Sequence, residues 1–200
     1  RNFLTKMASI VFSDYRLITH FADKCQEDIE RTGCGRAHPD KDDSPHSQGA
    51  TIECLEKDVG NLNSQCKHEI LRIAEMQADD YHEDRQLFYA CRDDRERLCT
   101  RTKAGGGKVY RCLFRHKFDK EMSSDCREKL TTRQRLMQSN YKVNFALTEA
   151  CRADVKRYHC FKNIDIETRN GKLSTILLCL EDKLKQDKKV SPECITELKE

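Results

Sequence analysis

Phe21-Ala-Asp-Lys-Cys-Gln-Glu-Asp-Ile29 decides the fold, because the chain writes the same design three times. Leu87-Phe-Tyr-Ala-Cys-Arg-Asp-Asp-Arg95 and Leu147-Thr-Glu-Ala-Cys-Arg-Ala-Asp-Val155 keep its apolar residue four positions before a cysteine and its aspartate three positions after. Phe21, Cys25 and Ile29 stand at i, i+4 and i+8, one face of a helix, and Leu147, Cys151 and Val155 repeat that face. Arg95 takes the third place in the second copy, which departs from the pattern there. A tyrosine stands ten positions before each cysteine (Tyr15, Tyr81, Tyr141) and reads as a packing residue at a corner. Asp79-Asp80 and Ser139-Asn140 break the preceding helical pattern just before two of these tyrosines.

Outward from these helices the twelve cysteines fall into three sets of four. They are Cys25, Cys34, Cys54, Cys66; Cys91, Cys99, Cys112, Cys126; and Cys151, Cys160, Cys179, Cys194. The last cysteine of one set and the first of the next are 25 positions apart both times. Each third cysteine is followed by leucine (Leu55, Leu113, Leu180), and a serine stands two or three positions before each fourth (Ser64, Ser123 or Ser124, Ser191). Self-similarity at a fixed period is the mark of an array of like modules. The expected fold is all-α, an extended tandem array of three disulfide-stapled helical repeats over 1–66, 67–126 and 127–200. Helices from each fourth cysteine to the next first cysteine are expected to join them. Gly49, Gly105 to Gly107 and Gly171 are expected in the loop before each third cysteine. Ser64 and Ser191, the latter followed by Pro192, are expected to cap the helix carrying the fourth. Ile70, Leu71, Ile73, Ala74 and Met76 supply an apolar stripe.

Composition favours the same reading. Apolar residues make up 37%, charged residues 36%, and tryptophan is absent, which suits three small modules better than one large core. Small modules bury too little surface to offset chain entropy unaided, and disulfides compensate by constraining the unfolded chain. An abundant, even number of cysteines indicates an oxidising compartment. Zinc sites use Cys-x2-Cys to Cys-x4-Cys pairs, whereas the closest cysteines here, Cys91 and Cys99, are eight positions apart. Each set allows three connectivities. Cys25 and Cys34, nine positions apart, would be about 13 Å apart along a continuous helix, beyond the roughly 7 Å between Cα atoms that a bridge tolerates. An antiparallel hairpin of the second and third helices brings the second and third cysteines together and sets the first level with the fourth. The expected pairs are Cys25–Cys66 with Cys34–Cys54, Cys91–Cys126 with Cys99–Cys112, and Cys151–Cys194 with Cys160–Cys179.

Enzymatic readings find little support. Lys103-Ala-Gly-Gly-Gly-Lys108 lacks the glycine spacing and the following Ser/Thr of a phosphate loop. The seven histidines include no His-x3-His pair, and Cys-x-x-Cys is absent. No metal and no cofactor is expected. The longest apolar stretch, Ile176 to Leu180, is far short of the ~20 residues that cross a bilayer, so no membrane contact is expected. The chain opens straight into a helical pattern without a leader, so a luminal protein of this kind is expected to be a piece of a longer precursor. There is no Asn-x-Ser/Thr sequon.

The recurring Cys-x-x-Asp, the Cys-Leu pair and the Ser before the last cysteine resemble the repeat of the cysteine-rich fibroblast growth factor receptor family. So do the stretches Phe12-Ser-Asp-Tyr-Arg-Leu17, His46-Ser-Gln-Gly49, Ala90-Cys-Arg-Asp-Asp-Arg-Glu-Arg97 and Leu130-Thr-Thr-Arg-Gln134. The resemblance covers essentially the whole chain. It implies part of the ectodomain of a Golgi type I membrane protein, without catalytic residues, that binds fibroblast growth factors and the endothelial selectin and takes part in secretory-pathway handling of growth factors. The absent sequon argues against selectin binding through an N-linked glycan on this stretch.

Charge suggests where partners would dock. Between Arg95 and Lys142 fourteen Lys/Arg face five Asp/Glu, a local net of +9 in a chain of net +3. Lys108, Arg111, Arg115 and Lys117, with Arg133 and Arg135, are the candidate contacts for an anionic glycan such as heparan sulfate. Acidic stretches run from Asp23 to Asp58 and from Glu75 to Asp94. In the second, Asp79, Asp80 and Asp84 are the candidate contacts for a basic growth factor. Nucleic acid is not expected in an oxidising lumen. The readings opposed to a binding scaffold are a purely structural spacer, with the charges as solvated helix faces, and a helical lipid carrier. A chain this charged has little apolar lining for the latter.

Overall fold

A computed structural model describes residues 15–35, 45–161 and 171–199. The sequence stretches beginning at Phe12 and His46 lie partly outside what is described, as do Asp40, Asp42 and Asp43 of the first acidic stretch. Among the described residues there are nine α-helices and no strand. They are α1 (Phe21–Thr32), α2 (Pro45–Lys57), α3 (Ser64–Met76), α4 (Arg85–Leu98), α5 (Lys108–Arg115), α6 (Ser124–Ser139), α7 (Phe145–Arg157), α8 (Leu173–Lys185) and α9 (Pro192–Leu198). Every set of four cysteines therefore staples three helices. The first cysteine lies within the first helix, the third in the second helix, and the fourth near the start of the third.

The second cysteine lies just past the end of its helix, which resolves the spacing difficulty. α1 ends at Gly33 in the left-handed region (φ 67°), and the Cys34 N–H turns back to the Ile29 carbonyl. α7 ends the same way at His159 (φ 51°), with the Cys160 N–H on the Val155 carbonyl. The bridges are nested in all three modules. Cys25–Cys66, Cys91–Cys126 and Cys151–Cys194 join the first helix to the third, each with Cα atoms 4.6 Å apart. Cys34–Cys54, Cys99–Cys112 and Cys160–Cys179 join the end of the first helix to the second. Each module has its own buried cluster around these sulfurs, and Tyr15, Tyr81 and Tyr141 belong to it.

Beside each outer bridge lies a polar clip. Asp28 accepts the Asn63 N–H (2.9 Å) and pairs with Arg31 (2.5 Å), which also donates to the Asn61 carbonyl (2.8 Å). Asp94 accepts from the Ser123 N–H (3.2 Å) and hydroxyl (2.5 Å) and pairs with Arg97, which donates to the Glu121 carbonyl (2.5 Å). Asp154 accepts from the Ser191 N–H (3.0 Å) and hydroxyl (2.6 Å), and Arg157 lies 3.6 Å from it and donates to the Lys189 carbonyl. All three aspartates are at most 2% exposed, and the turn that starts the third helix supplies donors to each buried carboxylate, although Asp154 Oδ1 has no hydrogen bond and faces Arg157 at 3.6 Å.

Four local expectations need correction. The cap of α3 is Asn63, whose side chain accepts from the Cys66 N–H, and Ser64 is already helical. The capping position is three residues before the fourth cysteine in every module. Gly49 lies inside α2, not in a loop, because the helix starts early at Pro45, a residue suited to the first turn. Met76 is exposed at the end of α3, outside the buried stripe of Ile70, Leu71, Ile73 and Ala74. The connection from fourth to first cysteine is two helices and a corner: α3 stops at Met76 and α4 starts behind the Asp84 cap. α6 likewise stops at Ser139, a short 3-10 turn carries Tyr141, and α7 starts behind the Asn144 cap.

The modules are also packed on one another. The second half of α6 leaves its own module: Leu136 joins the first core, as does Val143 beyond it. Arg133, 2% exposed, donates to the Ala74 carbonyl (2.7 Å) at the end of α3. Lys129 pairs with Glu53 of α2. Between second and third modules Arg111 of α5 pairs with Glu197 of α9 at 2.5 Å.

Candidate functional site

Where α5 faces the start of α7 and the end of α9 there is a cleft of about 330 Å³. α5 forms its inner wall because its apolar positions, Val109, Tyr110 and Leu113, bury one face into the second core and leave Arg111, Phe114 and Arg115 turned to the cleft. The helix begins at Gly107, held in the left-handed region (φ 65°) while its N–H donates to the Asp79 carbonyl (2.9 Å). A β-carbon there would stand 3.4 Å from that of Phe145, so glycine lets the two walls approach. Phe145 and Ala146 line the opposite wall at the N-terminus of α7, and Phe118, 84% exposed, stands at the rim.

Of the six cationic candidates, Arg111, Arg115, Lys117 and Arg133 line this one cleft. Arg111 is engaged by Glu197. Arg133 is not a surface group: its guanidinium lies 4.8 Å from the Tyr110 ring centre and 3.7 Å from Asp84, tying α6 to α3 and α4. Lys117 is 6% exposed and donates to Gln134 Oε1 (2.9 Å), with no carboxylate within 4.0 Å among the described residues. Burial, and then the neighbouring Arg135, hold its ammonium below the ordinary lysine range. Lys108 is exposed at the start of α5, and Arg135 lies on the other side of α6, its Nη1 3.5 Å from the Lys57 carbonyl.

The acidic candidates serve local structure. Asp79 accepts the Gly106 N–H (2.5 Å) and so holds the glycine turn, and Asp80 pairs with His82 (2.6 Å). Asp84 caps α4 through the Leu87 N–H (3.1 Å). It also belongs to a small polar pocket between first and second modules with Glu53, Glu56, Lys129 and Arg133. Burial and then repulsion from Asp84 push Glu56 up to about 8, and burial likewise raises Asp84.

None of the twelve cysteines is a free thiol. The one grouping with metal-ligand spacing among the described residues is Cys99, Cys112 and His116, and its two sulfurs are spent in a bridge. No helix among the described residues is long and apolar enough to cross a membrane.

A family model described as a cysteine rich repeat matches residues 1–63, 64–121 and 124–188. Golgi apparatus protein 1 of Gallus gallus is 46% identical over 98% of this chain and 18% of its own length. The Homo sapiens protein of that name is 45% identical over 98% of this chain and 17% of its own. A Golgi apparatus protein 1 homolog of Caenorhabditis elegans is 40% identical over 98% and 19%. The chain thus spans less than a fifth of each of these relatives. No solved structure matches it.

Proposed function

The chain belongs to the cysteine-rich repeat family, and on that footing we propose that it is a non-enzymatic binding segment in the lumen of the secretory pathway. In this reading it is part of the Golgi-resident ectodomain of a type I membrane protein and holds growth factors of the fibroblast class, with sulfated glycan as a co-ligand. Its relatives are named for the Golgi apparatus, and six disulfides suit an oxidising lumen. The module boundaries 1–66, 67–126 and 127–200 belong to the same reading.

One observation carries it. The cysteines and the buried aspartates are all committed to holding shape, whereas the local +9 between Arg95 and Lys142 runs from the second module into the start of the third. A fixed, uneven charge distribution is what electrostatic steering of a partner requires. Lys108, Arg111 and Arg115 are the outward members of that distribution. Selectin-mediated adhesion is a role for other stretches of such a protein, since no N-linked glycan can attach here.

Surface plasmon resonance with a fibroblast growth factor, at low and physiological salt and with or without heparin, tests the reading. Saturable binding that weakens with salt and falls on Lys108→Glu and Arg115→Glu is the expected result. No binding under any of these conditions makes the three modules a spacer.

A further inference from the structure

We propose that the cleft between the second and third modules is a docking site for an acidic peptide segment, one carboxylate beside a bulky apolar side chain, with Lys117 as its anion contact. The proposal deepens the scaffold reading, on which it rests, by assigning a site and a partner chemistry.

A lysine nine-tenths buried normally has a carboxylate against it, because an unpaired ammonium loses its hydration for nothing in return. Among the described residues, the Lys117 ammonium meets the Gln134 amide oxygen at 2.9 Å and the ring of Phe118, whose centre lies 5.6 Å from Nζ. Burial, and then the like charge of Arg135, hold its pKa below the ordinary lysine range. The other deep cation, Arg133, is satisfied by the Ala74 carbonyl and lies near Asp84, and Arg111 has Glu197. Among the described residues, Lys117 is thus a cation lining the cleft with no carboxylate against it. The α7 N-terminus adds its partial positive charge from the opposite wall, with Asn144 to Ala146 lining the cleft.

The remaining lining decides what kind of anion fits. Phe114, Phe118, Met137, Val143 and Phe145 offer aromatic and aliphatic surface on both sides. A sulfated sugar carries several anions and little apolar surface, so it would find one deep cation without a partner and a wall it cannot use. A single carboxylate next to a phenylalanine or leucine matches both. The volume, about 330 Å³, is at the small end of ligand sites and holds two or three side chains.

The test is calorimetric titration of the oxidised 200-residue chain with eight-residue peptides. These carry adjacent glutamate and phenylalanine in either order, glutamine-for-glutamate counterparts serve as controls, and a heparin hexasaccharide is titrated in parallel. The acidic peptide is expected to bind with Kd of about 10–100 µM, at least tenfold tighter than its neutral counterpart. Phe118→Ala, at an exposed position, and Lys117→Met, which keeps the aliphatic stem, are each expected to weaken it tenfold or more. Lys117→Met is also expected to melt at a higher temperature than the parent, since it removes a buried charge that lacks a partner. Equal binding of the neutral peptide, undiminished binding to Lys117→Met, or saturation by the hexasaccharide with no peptide bound overturns the proposal. Growth-factor binding that survives Lys117→Met while no peptide binds rejects the cleft and leaves the scaffold standing. A parent chain that binds peptide but no growth factor rejects the growth-factor reading alone.

Discussion

Asp94→Ala is the substitution that most directly examines the clip beside each outer bridge. The Asp94 carboxylate is 1% exposed and accepts from two donors of the turn that starts α6, the Ser123 N–H at 3.2 Å and its hydroxyl at 2.5 Å. Alanine leaves both without an acceptor. A stranded buried donor costs about 1–3 kcal/mol. The hydroxyl can still accept from the Cys126 N–H, which reduces its share, and Arg97, nearly half exposed, returns to water. The expected loss is therefore about 2–4 kcal/mol. Asp94→Asn keeps one acceptor oxygen and should lose about half as much. The control is the adjacent Asp93, 78% exposed and paired only with Arg92, where alanine should cost less than about 0.5 kcal/mol. Guanidinium unfolding of the oxidised chains, followed by helical dichroism, gives the midpoint shifts. Amide exchange then assigns them to elements. Loss of protection in α4 and α6, with α1 and α9 unchanged, is expected. Equal costs at Asp93 and Asp94, or a loss spread evenly over all three modules, would refute the reasoning.

Three further outcomes follow from the same structure. Glu56 has a raised folded pKa of about 8, so its protonated form favours the fold. That contribution is full below the unfolded value of about 4.3, shrinks as pH rises and is gone above about 8; Glu56→Gln should flatten the fall in melting temperature between pH 5 and 9, and an unchanged pH profile would contradict it. Replacing Cys99 and Cys112 with serine opens a loop of separation 13, against 35 for Cys91 and Cys126; chain-entropy estimates of about 3 and about 4 kcal/mol rank the outer bridge as the more costly loss, and the reverse order in denaturant would be decisive against that account. Gly107→Ala forces a left-handed alanine and a β-carbon 3.4 Å from that of Phe145; a loss of about 1–2 kcal/mol is expected in thermal unfolding, whereas a neutral result would mean that the α5–α7 contact gives way freely.

Much of the architecture was legible because it is written in the spacing of residues that alternatives cannot use. The helical face through Phe21, Cys25 and Ile29, and the nested bridges, follow from geometry that three copies repeat. The clip was half legible: the aspartates stand out, but Arg31, Arg97 and Arg157 recur six positions after each first cysteine and resemble ordinary solvated charges. The cleft was not legible. It joins residues as distant as Ala78, Lys117, Phe145 and Glu197, and nothing local marks them as neighbours. Lys117 and Arg133 read as surface cations because charged side chains are seldom buried, and only the packing of α6 across two modules covers Arg133. Asp79 and Asp84 looked like a docking face for the opposite reason, since capping and turn-holding carboxylates have the same composition as a charged patch.

The outer bridges also set how the molecule would answer a mechanical pull. Tension entering at Cys25 crosses directly to Cys66, and again from Cys91 to Cys126 and from Cys151 to Cys194. The loops these bridges close, of sequence separation 41, 35 and 43, lie off the load path with the inner bridges among them. Only the paired helices between one outer bridge and the next can pay out length, so the oxidised array is a short-travel tether. Reducing the first outer bridge and its inner partner would release roughly 140 Å of slack at about 3.4 Å per residue, turning a stiff strut into a long, soft leash.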